Sequence, residues 1–528
     1  MSESQHSSVC GQGGADRPAS LEEGQQVFAK SIGVFSATAM VVGAIIGSGI
    51  FSTPAFVWQQ VGSPGMSMIM WLLGGILTIF AVQCYSELGT MLPRSGGEQV
   101  YLSYIYTKPK ELIAFLFCWV NVAGSRPAGS AANVIIFAKY LMYATFGPPK
   151  ALSGGTLKNN YDWIMRGFGI LGLLVVMTLS IVSTNWTLRL HNIITIIKVA
   201  VLLAIAIASV VVLAGGAQDI EQPGNWEGAF EGTSTGVSDY AFSLFKVLWT
   251  YSGWNNVILV LGELRNPSRN LPIATIGGVS IITTLYLLAN AAYISVVPAA
   301  VAFSGREIIA ASFVSTVFGP YVGRVVLPLL MSLSALDNVM IVLFAVSRLI
   351  FVMGQQRYLP ALGFFMRVHS RFGTPYNGVI AFGCIIAIMM LAPPPGEAFD
   401  FLTTFSPYSR IFFFGLTTTG MLILRRREPL KERPFRVWWP LAVVYTTVVV
   451  FLAVIPFVPP ENSTTSTIPY YLAPIMGIIY MLIGVPLWFI MVPHDGHIGE
   501  AWRSIVRFLG CKPTPLPQPA ASNKQPDV

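Results

Sequence analysis

Gly43-Ala-Ile-Ile-Gly47-Ser48-Gly49-Ile50-Phe51 puts three glycines into seven positions, in the middle of an apolar run that extends over residues 33–58. Each glycine weakens a helix by about 1 kcal/mol relative to alanine, so the cluster predicts a helix that breaks at this point. Unwound backbone is tolerated at membrane depth only where it lines a protected cavity. A weaker interruption, Trp249-Thr-Tyr-Ser252-Gly253-Trp254-Asn255-Asn256, lies further along the chain. Whether the two correspond depends on how many apolar segments separate them.

Of the 528 residues, 54% are hydrophobic and 11% charged, which is under half of the roughly 25% charge of a water-soluble chain. That excludes a soluble enzyme, and 12% aromatic content excludes a disordered chain. A membrane helix needs about 20 mostly apolar residues. Such runs recur at 33–58, 66–92, 111–143, 163–184, 190–214, 239–262, 272–297, 324–351, 375–393, 400–423, 438–458 and 470–492. The fold class expected is therefore all-α, a polytopic membrane protein of twelve spans. The two interruptions fall in the first and sixth, five helices apart, as two inverted five-helix repeats require. Paired breaks at corresponding positions are a pointer to a transporter binding site at the bilayer midplane.

The net charge of +8 orients the bundle. If the N-terminus is inside, the inner connections hold sixteen Lys and Arg against five outside, which predicts cytoplasmic termini. The basic residues thus serve topology, with the lipid bilayer as partner and no nucleic acid. Residues 1–30 read as a disordered cytosolic tail rather than a cleaved signal peptide. Residues 31–297 would hold the first seven helices, residues 298–492 the remainder, and 493–528 a cytosolic C-terminal segment. Asn462-Ser-Thr falls on an outer connection, as a glycosylation acceptor would. The five cysteines lack metal-ligand spacing, and no metal or cofactor is indicated. No nucleophile–base pair or phosphate loop suggests an enzyme. His191, His369, His494 and His497 are expected as solvated residues near the inner face, although His494 and His497 are spaced to chelate a metal.

The broken helices would supply specific chemistry. Amides of Ser48, Gly49 and Ile50, opening a half-helix, form a donor nest with a positive dipole end that suits a carboxylate. Carbonyls of Ile45 and Ile46, with those near Trp249 and Ser252, would accept from an ammonium. A carboxylate and an ammonium a few ångströms apart describe the main chain of an α-amino acid. The same glycines would also serve close helix packing without any ligand.

At these residues the chain resembles the amino acid–polyamine–organocation superfamily, and within it the L-type amino acid transporters. The motifs are Ile45-Ile-Gly-Ser-Gly-Ile-Phe51, Glu87-Leu-Gly-Thr-Met-Leu-Pro-Arg-Ser-Gly-Gly-Glu98, Arg126-Pro127 and Tyr251-Ser-Gly-Trp-Asn255. They continue with Glu263-Leu-Arg-Asn-Pro-Ser-Arg-Asn-Leu-Pro272, Ser347-Arg-Leu-Ile-Phe-Val352 and Glu432-Arg-Pro-Phe-Arg-Val437, in order over residues 30–490. The resemblance implies the leucine-transporter fold, with an L-amino acid bound between helices one, three, six and eight. Gly47 and Asn255 belong to the implied site, and Trp249 stands where the family has an aromatic cover. Lys198 matches a lysine whose ammonium occupies the place of the sodium ion of sodium-driven relatives. It would lean on carbonyls near Gly43 and Ile46, or else snorkel to the inner surface. Animal members carry a cysteine after helix three for a disulfide-linked glycoprotein subunit. The connection 146–163 has none, so no such partner is expected and the chain is similar to fungal permeases that act alone.

The third helix reads Gly124-Ser125-Arg126-Pro-Ala-Gly129-Ser-Ala-Ala132-Asn133. Its small residues suggest a roomy wall, with Asn133 either reading the substrate or bonding a neighbouring helix. Arg126, Asp337 and Arg410 are ionisable residues inside spans and are functional or ion-pair candidates by default. Asp337 is expected to pair with Arg126 or Arg410. The function expected is sodium-independent transport of neutral, large or branched amino acids by exchange or facilitation at the plasma membrane. Proton-coupled uptake through Lys198, Asp337, Glu87 or Glu263 is the nearest alternative, and a receptor that binds without transporting is one of another class.

Overall fold

The computed structural model describes residues 30–147, 160–216, 223–304, 309–359, 362–369, 372–392, 398–458 and 471–492. Asn462, the N-terminal tail, His494, His497 and the C-terminal segment lie outside the described residues. The long helices are α1 (Val34–Ile45), α2 (Gly49–Val61), α3 (Pro64–Met91), α4 (Leu112–Phe146), α5 (Tyr161–Val182), α6 (Thr184–Leu213) and α7 (Val237–Thr250). They continue as α8 (Pro267–Val296), α9 (Val322–Gln355), α10 (Tyr376–Leu391), α11 (Ala398–Arg427), α12 (Trp439–Val454) and α13 (Leu472–Met491). Among the described residues there is no named strand, only an isolated bridge between Ile32 and Leu264.

By length and composition eight helices can cross a membrane, or nine when α1 and α2 are one span bent by 47°. The other expected spans, at 239–262, 375–393 and 400–423, hold an interrupted helix, a 16-residue helix and a 30-residue helix that carries Arg410. The count of twelve thus rests on the sequence, while the all-helical polytopic fold is what the chain adopts.

α6 illustrates the packing logic. It turns Thr187, His191, Thr195, Lys198 and Ser209 inward, all buried, and leaves Ile193, Ile196, Leu203, Ile207 and Val210 exposed. In a soluble helix the faces would be reversed. Here lipid satisfies the apolar side, and the polar side needs protein partners. α3 and α8 approach closely because glycine permits it. A Cβ at Gly75 would stand 2.4 Å from the Thr283 side chain. Such small-residue contacts bring helix backbones together where water supplies no driving force.

One end of the bundle is closed by a latch. Backbone bonds tie Ile32 to Glu263 (3.1 Å) and Arg265 (2.9 Å), and Gly96 to Leu259 (3.0 Å). Buried Arg348 of α9 holds Glu263 at 2.9 Å. Glu87, at the end of α3, is gripped by Arg425 (Nε at 2.9 Å), Arg433 (3.4 Å) and the Val437 amide (2.8 Å). Glu87 and Glu263, considered from sequence as proton carriers, are thus ion-paired fasteners between segments distant in sequence.

Candidate functional site

α1 ends at Ile45 and α2 begins at Gly49, so the three-glycine stretch is where the first span breaks. The amides of Ser48, Gly49 and Ile50 meet no acceptor among the described residues. Those of Phe51 and Ser52 turn back to the Ser48 carbonyl at 3.2 Å. The carbonyl ends differ from expectation. Ile45 O accepts from the Tyr286 hydroxyl (2.9 Å), Ile46 O from Ser334 Oγ (3.2 Å), and Ala44 O from Asn338 Nδ2 (2.6 Å). Side chains of α8 and α9 therefore already engage the carbonyls that sequence reasoning treats as free. Ile45 O also accepts from the Gly47 amide (2.8 Å), whereas a carbonyl with one such bond keeps a second lone pair.

The second break follows α7. Residues after Thr250 run through a turn to a short helix, Asn256–Leu259. Gly253 has φ +115°, and a Cβ there would sit 2.7 Å from Ala44 O. Glycine is required on both counts, and its bare backbone lets the two breaks touch.

Between the breaks opens a polar cavity of about 620 Å³ of empty space. Of the expected residues, Ile45, Gly47, Ser48, Gly49, Arg126, Asn133, Trp249, Ser252 and Arg410 line it. Ile46 and Ile50 are buried beside it without lining it. Asn255 donates to Glu98 Oε1 (2.8 Å) and faces a second, largely apolar cavity of about 690 Å³ instead. Trp249, Ser252, Gly253 and Arg410 border both cavities and form the partition between them. Asn133 donates to Gly129 O in its own helix (3.0 Å) and to Asn338 Oδ1 (3.4 Å), so it bonds a neighbouring helix as well as lining the cavity. A π-helical turn at Val120–Ser125 immediately precedes Arg126 and widens α4 where the cavity begins.

Beneath the first break lies a buried trio. Lys198 Nζ reaches Gly43 O at 2.9 Å, as expected, and Asp337 Oδ2 at 2.7 Å. His191 Nδ1 lies 2.9 Å from Asp337 Oδ1, and its Nε2 lies 3.1 Å from Ala39 O. The ring thus bridges α9 and the first span through its two nitrogens. Two expectations are corrected here. Asp337 pairs with Lys198 and His191, and neither Arg126 nor Arg410 reaches it. His191 is fully buried rather than solvated, because it lies seven residues, two helical turns, before Lys198 on the inward face of α6.

The consequence falls on the arginines. Arg126 reaches Asn256 Oδ1 (2.5 Å) and Asn121 Oδ1 (3.3 Å), and its Nη2 has no partner among the described residues. Arg410, 9% exposed, makes no hydrogen bond or ion pair among the described residues. Ser130, Glu98, Asn256 and Asn338 were missed as site residues. Asn338 had a readable signal: Ser334, Asp337 and Asn338 sit at i, i+3 and i+4 in a largely apolar span, which places all three on one face.

A bundle of apolar helices with a polar cavity at two broken spans defines an integral membrane transporter of small polar solutes. The chain belongs to the amino acid permease family, whose model matches residues 32–482. It is 30% identical over 500 residues to the high-affinity methionine permease of Saccharomyces cerevisiae, covering 92% of this chain and 84% of the relative. It is 29% identical to the human b(0,+)-type amino acid transporter 1 (81% and 83% covered) and 27% identical to the human cystine/glutamate transporter (88% and 86%). The relatives are membrane amino acid transporters rather than enzymes, and the reading as a non-transporting receptor is set aside. Relatives named for methionine and for cystine and glutamate stand at nearly equal identity, so likeness does not fix the side-chain preference.

Proposed function

We propose that this protein carries L-amino acids across the plasma membrane by alternating access without sodium, with both termini cytoplasmic and without a disulfide-linked subunit. The observation that carries the reading is Lys198 Nζ, bonded to Gly43 O in the first span and to Asp337 in α9. A fixed ammonium supplies there the positive charge that a bound cation would otherwise bring, and couples the break to α9. The substrate carboxylate would meet the amides of Ser48, Gly49 and Ile50 at the start of α2. Its ammonium would meet backbone carbonyls of the two breaks, and Trp249 would cover it. The latch at Glu87 and Glu263 fits a conformation closed toward the cytoplasm, with exchange requiring its release. The test is uptake of labelled amino acid into liposomes holding the purified chain, with sodium replaced by choline. Unchanged uptake is expected, and a strict sodium requirement would refute the role given to Lys198.

Large neutral side chains, expected from the resemblance, would have to extend past Trp249 and Arg410 into the apolar cavity. Proton coupling is a second reading, favoured by the buried ionisable trio of Lys198, Asp337 and His191. Under that reading a pH gradient drives accumulation and His191→Gln abolishes the drive. One-for-one counterflow indifferent to the gradient marks the exchanger.

A further inference from the structure

The polar cavity is lined by donors without acceptors. Arg126 Nη2, Ser130 Oγ, Asn256 Nδ2 and Arg410 Nε are all buried and unpartnered among the described residues, and all four residues border the same space. Arg126 and Arg410 are 4% and 9% exposed, on α4 and α11. The carboxylate nearest to them in the charge pattern is Glu98, which lies behind the wall with one oxygen held by Asn255. One carboxylate against two guanidiniums leaves a net positive charge. Asp337, the other candidate counter-ion, is taken by Lys198 and His191. A buried guanidinium with no partner is tolerated only where water or a ligand completes it.

Resting on the amino acid transport proposed above, we propose that the cavity takes an amino acid whose side chain ends in a carboxylate, held by Arg410 and Arg126. The division of labour follows from geometry. Backbone amides at Ser48–Ile50 suit the α-carboxylate, and a second anion is what the guanidiniums on α4 and α11 lack. A planar guanidinium presents two parallel N–H groups to a carboxylate, which supplies direction as well as charge. A neutral side chain of equal size would leave the donors unmade once the cavity closes, and sites built to bond a group reject analogues that lack it. Arg410 also borders the apolar cavity, so it stands where a long neutral side chain would have to pass.

Glutamate and glutamine are the discriminating pair, being nearly isosteric and differing in charge. In liposomes containing the purified chain, labelled glutamate should be taken up with a KM at least tenfold below that of glutamine or leucine. Arg410→Gln should lower the glutamate-to-glutamine ratio of kcat/KM at least tenfold, and Arg410→Lys should retain part of it. Thermal melting of each variant in detergent reports folding independently. Uptake of glutamine or leucine with no glutamate uptake overturns the inference and leaves the transporter reading standing. Equal loss of glutamate and glutamine in a folded Arg410→Gln also overturns it, because the arginine would then hold the main-chain carboxylate. Failure to carry any amino acid removes both readings together.

Discussion

Two sets of buried charges lie near the break of the first span and have opposite states. The trio of Lys198, Asp337 and His191 is buried and mutually bonded, with every named contact at 3.1 Å or less. The arginines of the polar cavity keep unpartnered nitrogens, and Arg410 has no bonding partner among the described residues. In low-dielectric surroundings a satisfied network rigidifies and an unsatisfied group is costly. The difference separates charges that hold the helices in place from charges that await something. Both are ionisable residues within spans, and sequence alone gives them one meaning.

The largest effect should come from breaking the trio. Asp337→Asn leaves Lys198 and His191 buried without their counter-charge, and removing one partner of a buried pair typically costs about 3–5 kcal/mol. The expected outcome is little folded protein by fluorescence-detected gel filtration and no uptake. Replacing both Lys198→Met and Asp337→Leu removes the charges together and should recover much of the folded yield. Normal yield and normal uptake for Asp337→Asn would mean that the trio holds nothing together.

Glu263→Gln should act less severely and in a different place. Arg348 would keep a hydrogen bond and lose the charge assistance, a change of about 1–3 kcal/mol for a buried group. Because the pair fastens the closed end, the variant should melt earlier and expose that end more often. Accelerated labelling of a cysteine introduced near Ser95 would report the opening, and unchanged labelling would detach the latch from gating.

The architecture was readable because its causes are local. Run lengths, the three glycines and the spacing of two interruptions depend on neighbours along the chain. Six residues at the two breaks, Ile45, Gly47, Ser48, Gly49, Trp249 and Ser252, and Asn133 of α4 do line one cavity. Pairing was not readable, because it depends on which helix faces which. Asp337 was matched to the wrong cations since depth along a span says nothing about azimuth. His191 was misplaced for the opposite reason: its seven-residue spacing to Lys198 was visible, yet a soluble helix would point that stripe toward water. Carbonyls at Ile45 and Ile46 read as free because their partners, Tyr286 and Ser334, lie on helices distant in sequence.

The smallest effect sharpens the comparison within one helix. Ser130 and Asn133 lie three residues apart on α4, line the same cavity and are both polar. Asn133 is engaged by Gly129 O and Asn338, whereas Ser130 Oγ has no partner. If unpartnered groups are the ones that meet substrate, Ser130→Ala should raise the KM by about 3- to 10-fold, near the ~1 kcal/mol of a single hydrogen bond. Asn133→Ala should change the KM less than about threefold and show its effect in thermal melting, since the bond it loses joins α4 to α9. The reverse ranking would show that Asn133 turns from its neighbours to the substrate when the cavity fills. The bonding seen here would then describe the resting cavity, and satisfaction would cease to distinguish structural from binding groups in this wall.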